Sequence, residues 1–236
     1  MGGVLDSSFT VELTTMTSQL DHGSLPEPDS PPSRAQTLKM VRRVLAGDSQ
    51  AGTELVHHSG GRVLAMVMFY MGRSIRRRFD PEDLAQEVWM EIFRALQLGK
   101  GPTVSFGAWV RTIVRRRLAR LASRSRPFPA SASDLDPGGN EEGGWQPTSE
   151  GTLPLVRSYR REAIARLVEV VESLPERHQK VWTRYWFEEQ KVRQIAEQLN
   201  LSSQRVREEL RRANRAVRRH FQGEPSTDPG DWSRRR

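Results

Sequence analysis

Arginine is the residue type with most chemistry to offer in this chain, and its spacing follows a helix. Arg111, Arg115, Arg116, Arg117, Arg120 and Arg124 crowd into one short stretch. Arg116, Arg120 and Arg124 recur at steps of four, as do Arg111 and Arg115, so a helix would carry them as stripes. Like charges this close repel unless an anion neutralises them. Guanidinium forks match phosphate oxygens, which makes a nucleic-acid backbone the natural counter-charge. Trp109, just ahead, can pack into a core or stack on an unpaired base, core packing being the commoner fate. A second set, Gln194, Ser203, Gln204, Arg205, Arg207 and Arg211, mixes guanidinium with amide and hydroxyl groups, the side chains that read base edges in a major groove. A third set is acidic: Asp83, Glu87 and Glu91 repeat every four residues, with Gln86 beside them. All three sets suit binding, and none makes or breaks a bond.

Other chemistries are poorly served. Cysteine is absent, which excludes disulfides, thiolate metal sites and cysteine nucleophiles. His57 and His58 are adjacent and His22, His178 and His220 are scattered, so no helical metal-ligand pair exists. Gly138-Gly139 and Gly143-Gly144 are not followed by Gly-Lys-Ser/Thr and lie in an acidic stretch, so a phosphate-cradling enzyme loop is not supported. No catalytic residue, metal or cofactor is expected. The N-terminus lacks a basic region followed by an apolar one, and no apolar run is long enough for a bilayer. A cytoplasmic protein without membrane insertion is the plain reading.

The elements that must carry these residues are legible from charge and periodicity. Net charge alternates along the 236 residues: −4 over residues 1–36, +10 over 37–126, −5 over 127–156 and +7 over 157–221. Residues 1–36 are rich in Ser, Thr, Pro and Asp and are expected to form a disordered extension. Residues 127–154 hold four prolines ahead of Thr152 and two Gly-Gly pairs, the make-up of a flexible acidic linker, and 222–236 is expected to be a disordered tail. Elsewhere apolar residues recur every three or four positions, as in Leu84, Val88, Ile92, Ala95 and Leu96, or Ile164, Leu167, Val168, Val171 and Leu174. Asp80-Pro81-Glu82-Asp83 reads as a helix start, Ser105 as a cap for a helix from Phe106, and Ser173 with Pro175 as another opening. The fold expected is all-α: two small helical domains, 37–126 and 155–221, joined by the linker.

The second domain ends in a specific pattern. A short helix over 192–199 turns Ile195, Ala196 and Leu199 inward. A break at Asn200-Leu201-Ser202 follows, and a second helix starts near Ser203 with Val206 and Leu210 facing the first. Small Ala196 permits a close crossing, and Asn200 tolerates a left-handed turn. This is the layout of a helix-turn-helix, with Ser203, Gln204, Arg207 and Arg211 on its free face. A protein-binding helical hairpin is the alternative. Glu208 and Glu209 would oppose phosphate if they faced it.

At this point the chain resembles a known family. Leu174-Pro175-Glu176-Arg177-His178-Gln179-Lys180-Val181-Trp182, leading into Gln194-Ile195-Ala196-Glu197 and Val206-Arg207, is similar to the promoter-reading C-terminal domain of the extracytoplasmic-function sigma factors of bacterial RNA polymerase. Asp80-Pro81-Glu82-Asp83-Leu84-Ala85-Gln86-Glu87-Val88-Trp89 resembles the family's polymerase-binding helix, and Phe106-Gly107-Ala108-Trp109-Val110-Arg111-Thr112-Ile113 the start of its promoter-melting helix.

The resemblance implies a sigma factor that directs promoter recognition and initiation of transcription. RNA polymerase core and promoter DNA would be its partners, and an anti-sigma factor is admitted as a third. It assigns polymerase contact to Asp83, Gln86, Glu87 and Glu91. Promoter melting falls to Trp109, Arg111, Arg115, Arg116, Arg120 and Arg124, and duplex contact to Gln194, Ser203, Gln204, Arg205, Arg207 and Arg211. One departure stands out. The family usually places asparagine and aspartate where this chain has Arg116 and Arg120, which retains phosphate affinity and leaves either a different promoter preference or relaxed discrimination. A sigma-derived helix-turn-helix regulator that does not engage polymerase is the second reading, distinguished by having no need of the acidic row.

Overall fold

The computed structural model describes residues 31, 33–124 and 154–222, and every regular element among them is a helix. The N-terminal unit comprises α1 (Ser33–Leu45), α2 (Ser49–Arg76), α3 (Pro81–Gln97) and α4 (Phe106–Arg124). The C-terminal unit comprises α5 (Pro154–Ser173), α6 (Glu176–Trp186), α7 (Val192–Leu199) and α8 (Ser203–Gln222). The all-α expectation is met. The linker and tail expected from composition lie outside the described residues, apart from the helix ends at Pro154 and Gln222. No described helix is long and apolar enough to cross a membrane.

Local chemistry sets most helix ends. Asp48 opens α2 by accepting a hydrogen bond from the Ala51 amide at 3.1 Å, and Asp80 opens α3 by accepting from Glu82 at 2.7 Å, with Pro81 in the first turn. Ser105 caps α4, its Oγ accepting from the Ala108 amide at 3.1 Å. Ser173 does not open α6: its hydroxyl donates back to Val170 O at 2.7 Å, and the N-cap position belongs to Pro175. With a carbonyl of its own preceding turn in reach, the hydroxyl serves the end of α5 instead. Near the end of α2, Gly72 takes φ 63° and ψ 168° and bends the helix, a backbone state that side-chain-bearing residues resist.

α1 starts earlier than composition suggests, inside the stretch 1–36 assigned to a disordered extension. Ser33 and Arg34 are fastened from outside their own helix. Arg34 donates to Glu189 O and to Val104 O, each at 2.5 Å. Thr37 and Val41 are buried. These contacts come from residues distant in sequence, which a compositional reading cannot see.

Each unit has an apolar centre built from the expected stripes. Leu84, Val88, Ile92 and Leu96 of α3 pack with Leu55 and Met66 of α2 and with Phe106, Val110 and Val114 of α4, all buried. In the second unit Ile164, Val168 and Val171 of α5 join Val181 and Tyr185 of α6, Ile195 of α7, and Val206, Leu210 and Val217 of α8. Each such side chain contributes about 1.5–3 kcal/mol on burial. The two centres run together. Phe69 of α2 meets Phe187 edge-on with ring centroids 5.9 Å apart, and Arg76 at the end of α2 pairs with Glu172 of α5 at 2.8 Å.

Candidate nucleic-acid interface

The helix-turn-helix forms as its sequence requires. Gln194 Oε1 accepts from the Lys191 amide at 3.0 Å and so closes the first turn of α7. Asn200 adopts the left-handed conformation, φ 53° and ψ 49°, and the Leu201 amide returns to Ala196 O at 2.9 Å. Ser202 Oγ then accepts from the Arg205 amide at 3.1 Å and starts α8. Ile195, Val206 and Leu210 are fully buried between the helices, while Gln204 and Arg211 are exposed and Ser203 and Arg207 half-buried on the outer side of α8.

Two expected participants have other duties. Gln194 is a cap, and Arg205 turns along its own helix to pair with Glu208 at 3.0 Å and Glu209 at 2.7 Å. Glu209 faces inward. It is buried and meets His178 Nε2 of α6 at 2.6 Å, so it cannot confront a phosphate. Burial pushes the His178 imidazole below the ordinary histidine range, against the opposing pull of Glu209. Glu208 is neutralised by Arg205 and by Arg212 at 2.5 Å. The repulsion expected from these two acids is therefore absorbed inside the domain.

The arginine-rich helix α4 behaves differently. Arg117 bridges Glu87 at 3.3 Å and Glu91 at 2.9 Å, and Arg116 reaches Glu91 at 3.1 Å. Arg111 pairs with Glu188 of the other unit at 3.0 Å. Part of the like-charge repulsion is thus relieved by the protein's own carboxylates, so an external anion is not required to hold the helix together. Arg115 and Arg120 are exposed, Arg116 stays half-open to solvent, and the Arg124 side chain lies outside the described residues. Trp109 is half-buried, with its ring 6.1 Å from that of Phe106. It packs at the edge of the core and keeps one side accessible.

On α3 the acidic row divides. Glu87 and Glu91 lean toward α4, whereas Asp83 and Gln86 point outward with Met90, which is 56% exposed. An apolar side chain this open, flanked by polar ones at steps of three and four, has the make-up of a contact surface. Met90 was not singled out from sequence because a methionine at helical spacing reads as core. Its register one turn from Gln86 was the available signal.

Residues 55–127 match the family model described as Sigma-70 region 2, and residues 170–219 match that of Sigma-70, region 4. Together the two matches span about half of the chain. The chain belongs to the sigma-70 family. A region 2 followed by a region 4 is the arrangement of its extracytoplasmic-function type. The chain is also 30% identical over 140 residues to a probable RNA polymerase sigma factor, RfaY, of Xanthomonas campestris pv. campestris, a match covering 58% of this chain. The chain spans about a third of the length of that relative, 33%. In these terms α3 and α4 belong to region 2, α6 to α8 belong to region 4, and α1 precedes the matched part of region 2.

Proposed function

We propose that this chain is a transcription initiation factor that joins core RNA polymerase to a promoter and helps open it. The observation that carries the reading is the coexistence in one chain of a helix-turn-helix presenting Gln204, Arg207 and Arg211 with a region 2 presenting Arg115, Arg116 and Arg120. The first set suits base edges and phosphates of a duplex, with α8 entering the major groove by its N-terminal end. The second suits the backbone of an opened strand, with Trp109 beside it as a stacking surface. Arg116 and Arg120 offer donors and no acceptor, which suits phosphates and, among the bases, guanine. Arg205 and Gln194 act as supports for the turn and cap.

Polymerase contact is assigned to Asp83, Gln86 and the neighbouring Met90 of α3, with Glu87 contributing its open side. Glu91, tied to both Arg116 and Arg117, positions α4 against α3. Bond formation in this scheme belongs to the polymerase, and the site of action is the cytoplasm. An anti-sigma partner would have to cover the α3 or α8 face.

The internal neutralisation of Glu87 and Glu91 keeps a second reading in play, a DNA-binding regulator that does not engage polymerase. Run-off transcription with purified bacterial core polymerase, with and without this chain, separates the two. Promoter-dependent transcripts only when the chain is present support the initiation reading. Retardation of duplex DNA without co-purification of core polymerase would leave the regulator.

A further inference from the structure

The segment between α6 and α7 binds the N-terminal unit as a ligand would. Phe187, Glu188, Glu189 and Gln190 are all buried, although three of the four are polar. Glu189 is fully buried and pairs with Arg62 of α2 at 2.7 Å. Its Oε1 also accepts from Ser33 Oγ at 3.1 Å and Thr37 Oγ1 at 3.0 Å, and its Oε2 accepts from the Gly107 amide at 3.2 Å. That amide lies in the first turn of α4, where unpaired N–H groups favour an anion. Glu188 accepts from Tyr70 Oη at 2.9 Å and meets Arg111 at 3.0 Å, while its backbone carbonyl accepts from Ser105 Oγ at 2.6 Å. Almost every polar group around the two carboxylates comes from the N-terminal unit.

Two further observations mark this contact as imposed. Glu189 has φ 52°, a left-handed backbone that a residue with a side chain holds only when its surroundings dictate it. Gly107 leaves no room for a side chain: a Cβ there would lie 2.1 Å from Phe187 O and 2.8 Å from the Glu188 Cα. Beside these polar contacts Phe187 meets Phe69, and α5 packs along α2. Burying Arg62 with Glu189 forfeits the hydration of both, and separation of the units restores it. A polar contact of this composition is specific in geometry.

We propose that Glu188 and Glu189 form an intramolecular latch that holds region 4 on region 2 and withholds the Arg111 end of α4 from nucleic acid. Phosphate and the Glu188 carboxylate compete for the same guanidinium, so DNA engagement and latch closure oppose each other. The consequence for DNA rests on the assignment of α4 made under the proposed function; the closure itself does not.

Gly107→Ala tests it cleanly. In an open chain the added methyl sits on the first turn of a helix, where alanine is favoured over glycine. In the closed chain it meets backbone. Glu188→Gln combined with Glu189→Gln is a second route, removing the charges and keeping the shape. The chain has no cysteine of its own, so dyes on Leu98→Cys and Arg193→Cys, both on exposed positions, report the separation of the units by energy transfer.

The full chain without DNA should show high transfer, and both variants lower transfer at unchanged far-ultraviolet helical signal. Affinity for a fluorescein-labelled duplex with an unpaired bubble should rise about tenfold, the factor expected when about one molecule in ten is open. Saturating the unmutated chain with that DNA should also lower the transfer, a readout independent of whether either variant folds. Transfer that stays high in Gly107→Ala, or in the unmutated chain at saturating DNA, overturns the latch. Opened variants that bind DNA more tightly yet ignore core polymerase would defeat the initiation reading and leave the latch standing.

Discussion

The arginines of α4 and those of α8 find their counter-charges by different routes. On α8, Arg205 and Arg212 pair with Glu208 and Glu209 three or four residues away on the same helix. On α4 the acids come from elsewhere: Glu87 and Glu91 from α3, and Glu188 from the other half of the molecule. A same-helix pair forms whenever the helix forms and adds little to stability beyond it. A cross-element pair depends on assembly, so it can report on assembly and be broken by a competitor. α8 therefore presents its outer face ready-made, whereas the α4 face is partly covered by the protein's own carboxylates.

That contrast can be broken or sharpened by substitution. The largest effect is expected from Arg207→Ala with Arg211→Ala, which should weaken duplex binding about a hundredfold at about 1–3 kcal/mol per side chain. The dependence on salt should fall by about one unit for each phosphate no longer engaged. Fluorescence anisotropy across a salt series measures both, and an unchanged slope would remove these residues from the interface. Glu209→Ala should cost about 1–3 kcal/mol in urea unfolding, because His178 and Arg205 are deprived of a buried acceptor.

Glu91→Gln acts on α4 instead. With Arg116 and Arg117 released from one carboxylate, the salt dependence of DNA binding should steepen by about one unit. A flat response would show that these guanidinium groups never face phosphate. Glu208→Gln is the matching change on α8 and should cost at most about 0.5 kcal/mol, since its pairs are partly exposed and local. A loss several times larger would mean that the same-helix pairs do more than accompany the helix.

Acid should probe His58, which is half-buried, and His178, which is buried. Burial lowers the pKa of both His58 and His178 relative to the ordinary value of about 6.5. For His58 the Arg62 charge works in the same direction. The unfolded chain therefore takes up protons first, so the stability these rings contribute is fully present above about pH 6.5 and declines as pH falls toward their lower folded values. Thermal unfolding between pH 7.5 and 5.5 should show Tm falling through this window, and less so in His58→Gln. A Tm that rises on acidification would contradict the assignment.

The parts of this protein that were legible in advance are those governed within one or two helical turns. The break at Asn200, the capping by Asp80 and Ser105, and the buried stripes of α3, α5 and α8 each depend on neighbours a few residues off. The helix-turn-helix could be delineated to its ends for that reason. Ser173 misled because a serine before proline suits a cap, yet a closer carbonyl took its hydroxyl. The start of α1 was missed because Ser33 and Arg34 owe their order to Glu189 and Val104. Arg116 and Arg117 were recognisable as cations, but their partners on α3 were not, since nothing in either helix alone states how the two will cross.

Glu188 and Glu189 make the same point most sharply. In the chain they are two acids in a turn, and Gly107 is one letter of a motif. Their importance exists only once Arg62, Thr37, Tyr70 and the first turn of α4 surround them. Sequence by itself determined which segments are helical, which faces are apolar and which helices carry positive charge, because those properties arise from short-range periodicity and side-chain chemistry. Only the tertiary structure decided which charges are neutralised and which still face solvent. That outcome depends on distances between residues far apart along the chain, and on whether water is excluded between them.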